Sequence, residues 1–91
     1  MTKPLAGKHI LIVEDEPVFR SLLDSWLSSL GANTLLAEDG VDALEILSSQ
    51  PVSMVISDWE MPEMDGLEML QSIRKDFQIS HIPVIILTRS E

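Results

Sequence analysis

Asp58 ends an apolar run, VSMVIS at residues 52–57, and a tight loop punctuated by Pro62 and closed by Asp65-Gly66 follows it. Glu14 and Asp15 end a second run, HILIV at His9–Val13, and Thr88 follows a third, VIIL at Val84–Leu87. Carboxylates gathered at one mouth repel each other, so such a site holds a proton or recruits a cation. Hard oxygen donors suit Mg²⁺, which takes one or two carboxylates, keeps several waters and pairs with phosphate oxygens. A carboxylate is also a nucleophile in phosphoryl transfer, where it forms an aspartyl phosphate. The metal then neutralises charge on the transferring group, and a hydroxyl such as that of Thr88 donates to one phosphate oxygen. These residues therefore have the chemistry of Mg²⁺-assisted phosphoryl acceptance, provided the fold brings the strand ends together.

The apolar pattern predicts elements that do this. His9–Val13 reads as a strand buried on both faces, as in a parallel sheet. Pro17 suits the first position of a helix, whose apolar stripe is Val18, Phe19, Leu22, Leu23, Trp26, Leu27 and Leu30. Gly31 ends it as the residue past the C-cap. Asn33–Ala37 is a second strand, Glu38-Asp39-Gly40 a turn, and residues 41–48 a helix with Ala43, Leu44 and Leu47 on one face. Residues 52–57 are a third strand, told from a helix turn by the Pro and Gly just beyond. A third helix spans residues 67–76 with Leu67, Leu70, Ile73 and Phe77 inward, and Pro83 opens a fourth strand. The order βαβαβαβ argues a parallel sheet with helices on both faces. Asp58 then sits at the carboxyl end of a strand, where open α/β sheets place their ligands.

The totals narrow the function classes. Ninety-one residues allow one small domain, and 45% hydrophobic content is enough for a core. The net charge of −9 argues against a nucleic-acid surface, which needs clustered Lys and Arg. No Cys is present, so thiolate chemistry and disulfides are excluded. The N-terminus MTKPLAGK lacks the apolar run of a signal peptide, and no stretch is long enough to span a membrane. The expectation is a soluble cytoplasmic protein.

ILIVEDEP, SDWEMPEMDG and PVIILT, in this order and spacing, resemble a two-component response-regulator receiver domain over nearly the whole chain. That resemblance implies a flavodoxin-like doubly wound sheet of order 2-1-3-4, with Asp58 flanked by the acidic pair and by Thr88. It implies Asp58 as phosphoacceptor and Mg²⁺ as cofactor. Asp15 and Asp58 would be direct ligands, the Glu60 backbone carbonyl another, and Glu14 would help through water. It makes Thr88 the switch hydroxyl, and a sensor histidine kinase or phosphotransfer protein the partner. Residues 1–32 resemble more narrowly the receivers of adaptors that deliver the stationary-phase sigma factor to a protease.

The chain departs from the family pattern at two places. Residues 1–91 read as a receiver that is incomplete at its C-terminus, lacking helix four, strand five and helix five. With them go the strand-five Lys and the aromatic switch residue. After Thr88 the family usually has a small residue, and here Arg89 stands there.

Other features have plainer explanations. Glu16 is a helix-start charge favoured by the dipole. Phe19 and Trp26 are stripe residues, and Met54, Met61, Met64 and Met69 are core and loop filler. His9 and His81 flank strands without metal spacing. Asp58-x-Glu60 fails the EF-hand pattern, because Glu63 stands where Gly is required. A flavin carrier of similar fold would need a phosphate-cradling loop after strand one, and Glu14-Asp15-Glu16 would repel phosphate there. The expected function is a non-enzymatic, phospho-accepting signalling domain that switches partner binding. The alternative is an adaptor module that binds an effector protein independently of phosphorylation.

Overall fold

The computed structural model describes residues 3–58 and 66–87. The elements run β1 (His9–Val13), α1 (Pro17–Ser29), β2 (Asn33–Ala37), α2 (Gly40–Ser49), β3 (Met54–Asp58), α3 (Gly66–Lys75) and β4 (Val84–Leu87). The strands form one parallel sheet in the order β2-β1-β3-β4, the flavodoxin-like order. β1 and β3 are the inner strands, and their carboxyl ends carry the acidic residues.

Strand alternation divides the core between two faces. Ile10, Ile12 and Ile56 pack with Leu27 of α1 on one face. Leu11, Val13 and Val55 pack with Ala43 and Leu47 of α2 and with Met69 and Ile73 of α3 on the other. Each fully buried aliphatic side chain is worth about 1.5–3 kcal/mol relative to exposure. The inner strands are thus buried on both faces.

Local signals set the ends of the elements. The Glu16 carboxylate caps α1, accepting from the backbone N–H of Val18 and Phe19, and Pro17 stands at the first helical position. Asp39 caps α2 through Asp42 N–H. Gly31 follows α1 at φ 101°, where a side chain is strained. A Cβ there would also lie 2.8 Å from the Lys3 Cβ. The N-terminal segment crosses at that point and is pinned by Leu5 N–H on the Leu30 carbonyl.

Four expectations need correction. β3 begins at Met54; Ser53 just before it exchanges bonds with His9, its N–H donating to the His9 carbonyl and its hydroxyl accepting from His9 N–H. Trp26 is not core: it is 59% exposed, and Val18 and Leu22 on the same ridge are exposed too. Only the Leu23–Leu27 side of α1 meets the sheet, so the predicted stripe was a ridge too wide. Phe77 is 96% exposed, since α3 stops at Lys75 and the helical period no longer applies beyond it. Leu67 is exposed too, and the inward face of α3 is Gly66, Met69 and Ile73.

Candidate functional site

Register brings the acidic residues together. Val13 of β1 pairs with Ser57 of β3. The next residue of each strand path is Glu14 on one side and Asp58 on the other, at the same carboxyl edge. Glu14, Asp15 and Asp58 each offer a carboxylate oxygen, and these oxygens lie within 4.8 Å of one another. Glu14 is 1% and Asp58 5% exposed, while Asp15 is open to solvent.

The backbone around the cluster is tied down on several sides. Glu14 N–H donates to the Ala37 carbonyl at 3.0 Å, which extends the β1–β2 ladder by one residue. Glu16 N–H donates to Glu14 Oε1 at 3.3 Å, closing the turn into α1. Arg20 Nη1 donates to the Glu14 carbonyl at 2.9 Å. Ser57, fully buried, donates its hydroxyl to the Asp58 carbonyl at 2.8 Å. Backbone groups, the Arg20 guanidinium and the Ser57 hydroxyl thus fix the strand ends from which the carboxylates project.

Among the described residues the donor set is all hard oxygen, with no nitrogen or sulfur ligand. That composition and close approach fit a small divalent cation such as Mg²⁺. Two of the acids are buried, so a cation there would meet little competition from bulk solvent for their charge.

Of the residues expected from the sequence, the structure unites Glu14, Asp15 and Asp58. Glu60, Thr88 and Arg89 lie outside the described residues. Arg20 escaped the sequence reading. Its signal was a long cation one helical turn after an acidic strand end, where side chains lean back toward the helix N-terminus.

A family model described as the response regulator receiver domain matches residues 10–91. The chain belongs to the response-regulator receiver family. It is 56% identical over 91 residues to the Regulator of RpoS from Escherichia coli strain K12, across 100% of this chain and 26% of that protein. It therefore spans only about a quarter of the length of the curated relatives it matches, given that 26%. Among solved receivers it is similar to response regulator TrrA of Thermotoga maritima, in complex with Mg²⁺-BeF, at TM-score 0.85 and 39% identity. That match covers 92% of this chain and 71% of the other. The receiver of a signal transduction histidine kinase from Syntrophus aciditrophicus gives TM-score 0.89 and 35% identity over 93% of this chain and 64% of that one.

Receiver domains bind Mg²⁺ at an acidic pocket, and this chain gathers Glu14, Asp15 and Asp58 into an acidic cluster at the corresponding edge of its sheet. The family is a signalling module, not a classical enzyme. Among the described residues no helix is long and apolar enough to cross a membrane.

Proposed function

We propose that this receiver accepts a phosphoryl group on Asp58 and thereby switches binding to a partner protein. The observation that carries the proposal is the approach of the Glu14, Asp15 and Asp58 carboxylates within 4.8 Å at one sheet edge. Asp58 is the nucleophile: a carboxylate oxygen forms a bond to phosphorus as the phosphorus–nitrogen bond of a phosphohistidine breaks. The electron pair of that bond stays on the imidazole nitrogen, which takes up a proton. The donor is a sensor histidine kinase or a phosphotransfer protein.

Asp15 and Asp58 would hold Mg²⁺ directly, with the Glu60 backbone carbonyl, and Glu14 would act through water. When bound, the ion supplies charge neutralisation to the transferring group. The chain's own residues orient the nucleophile: burial limits Asp58 to few conformations, and the Ser57 hydroxyl holds its carbonyl. Thr88 is the switch hydroxyl, donating to a phosphate oxygen and biasing a two-state equilibrium in the elements behind it. Likeness to the Regulator of RpoS supports a protein target of the RpoS kind for the intact protein. It equally supports a second reading, an adaptor that binds this target without phosphorylation.

The test treats the intact protein with a small phosphodonor and Mg²⁺ and weighs it by mass spectrometry, beside Asp58→Asn. One phosphoryl group on the wild type and none on the variant is expected. Equal labelling of both removes Asp58 from the role. Partner capture with and without beryllofluoride separates the two readings: equal capture supports the adaptor.

A further inference from the structure

Of the three acidic side chains, Glu14 and Asp58 are held by burial, but Asp15 is exposed. The backbone either side of it sets the point from which its carboxylate projects. One residue grips both flanks. Arg20 donates its guanidinium Nη1 to the Glu14 carbonyl and its backbone N–H to the Glu16 carbonyl, each at 2.9 Å. Asp15 lies in the two-peptide segment between those two carbonyls. The backbone bond is ordinary helix geometry; the side-chain bond is not, and it reaches back six residues to the end of β1.

We propose that Arg20 is a positioning residue for the cation site, fixing the Glu14–Asp15 turn so that the Asp15 carboxylate points where the ion is held. The inference rests on the Mg²⁺ reading above. A guanidinium donor to a carbonyl is a charge-assisted bond, stronger than a neutral one and directional. It anchors the peptide plane between Glu14 and Asp15 against the repulsion of the gathered carboxylates. It acts through the backbone rather than on the ion, as the outer partners of metal ligands do.

The sign of the effect separates this role from a simple charge effect. Arg20 is a cation near the site, so on Coulomb grounds alone its removal favours Mg²⁺ binding. Positioning predicts the reverse. The experiment measures Mg²⁺ affinity of the intact protein by calorimetry, taking the binding that remains in Asp58→Asn as the background. Arg20→Met keeps the aliphatic stem and removes the donor. Arg20→Gln keeps a polar group too short to reach the carbonyl, and serves if the Met variant does not fold. Each is expected to weaken Mg²⁺ binding about tenfold, the lower end for an outer-partner substitution. Arg20→Lys, which retains a cationic donor, is expected to recover most of that loss. Unchanged or tighter binding in a folded Met or Gln variant, beside a wild type that binds, overturns the role of Arg20 alone. A wild type with no Mg²⁺ affinity above the Asp58→Asn background removes the acidic-site reading, and this proposal with it.

Discussion

β1 buries Ile10, Leu11, Ile12 and Val13 between two layers of helices, whereas the next two residues, Glu14 and Asp15, gather with Asp58 at the end of the sheet. The apolar stretch gains free energy from every contact it makes. The acidic end brings together like charges that separate when the chain unfolds. The same fold causes both, because the register that seats Val13 beside Ser57 also delivers Glu14 to Asp58. Stability in this domain is therefore generated along the strands and given up at their carboxyl ends, where binding sites often carry such a cost. Substitutions in the two regions should change stability with opposite sign.

The largest effect belongs to the apolar region. Leu11 is fully buried on the α2 and α3 face. Leu11→Ala removes its methyl groups and leaves a cavity, at a cost of about 2–5 kcal/mol. Urea unfolding of the intact protein should show a lower midpoint in chelator and in Mg²⁺ alike. A loss confined to one condition would mean that the core and the acidic end are not separable.

Next in size is the cation itself. An ion that binds only the native state stabilises by RT ln(1 + [L]/Kd), about 2.7 kcal/mol at a hundredfold excess over Kd. Wild-type protein should gain this on adding Mg²⁺, and Asp58→Asn, one carboxylate ligand fewer, should gain much less. An equal gain in both would place the ion elsewhere.

The comparison bears on what could be read from the sequence. The strands and their order of appearance were legible because apolar runs are punctuated by Pro17, Gly31, Gly40 and Gly66 close to where elements begin or end. The acidic cluster was legible because strand ends of a parallel sheet share an edge. The strand order itself came from family resemblance, since runs of Val, Ile and Leu do not say which strand is central. Helical periodicity finds the inward face but not its width, so Val18, Leu22 and Trp26 were drawn too far in. It also cannot say where a helix stops, which misplaced Phe77 beyond Lys75. The bond from Arg20 to the Glu14 carbonyl has no periodic signature at all.

A smaller effect, of opposite sign to Leu11→Ala, is expected at Asp58 in chelator. Asp58→Asn is nearly isosteric and removes one of the gathered charges. The relief is on the order of 1–4 kcal/mol before salt screening, and less at physiological ionic strength. The variant should unfold at higher urea than the wild type when no cation is present, and the gap should narrow as salt rises. A destabilised variant would show that Asp58 makes more favourable contacts than its charge costs.

The smallest effect is also the sharpest test, because it concerns an acid adjacent to Glu14 and Asp15 in sequence. Glu16 carries the same charge, yet its carboxylate accepts from Val18 N–H at 3.1 Å and Phe19 N–H at 2.8 Å. It satisfies two donors that the first turn of α1 cannot pair within the helix, and it faces the positive end of the dipole. Glu16→Ala should therefore destabilise the protein in chelator, by about 1 kcal/mol, the usual worth of an N-cap. Glu16→Gln keeps an acceptor oxygen and loses the charge, so it should cost less. Both are read from urea midpoints under the conditions used for Asp58→Asn. If Glu16→Ala instead raises the midpoint, Glu16 belongs with the repelling acids, and the boundary between the stabilising and destabilising regions lies one residue further along the chain, at the start of α1.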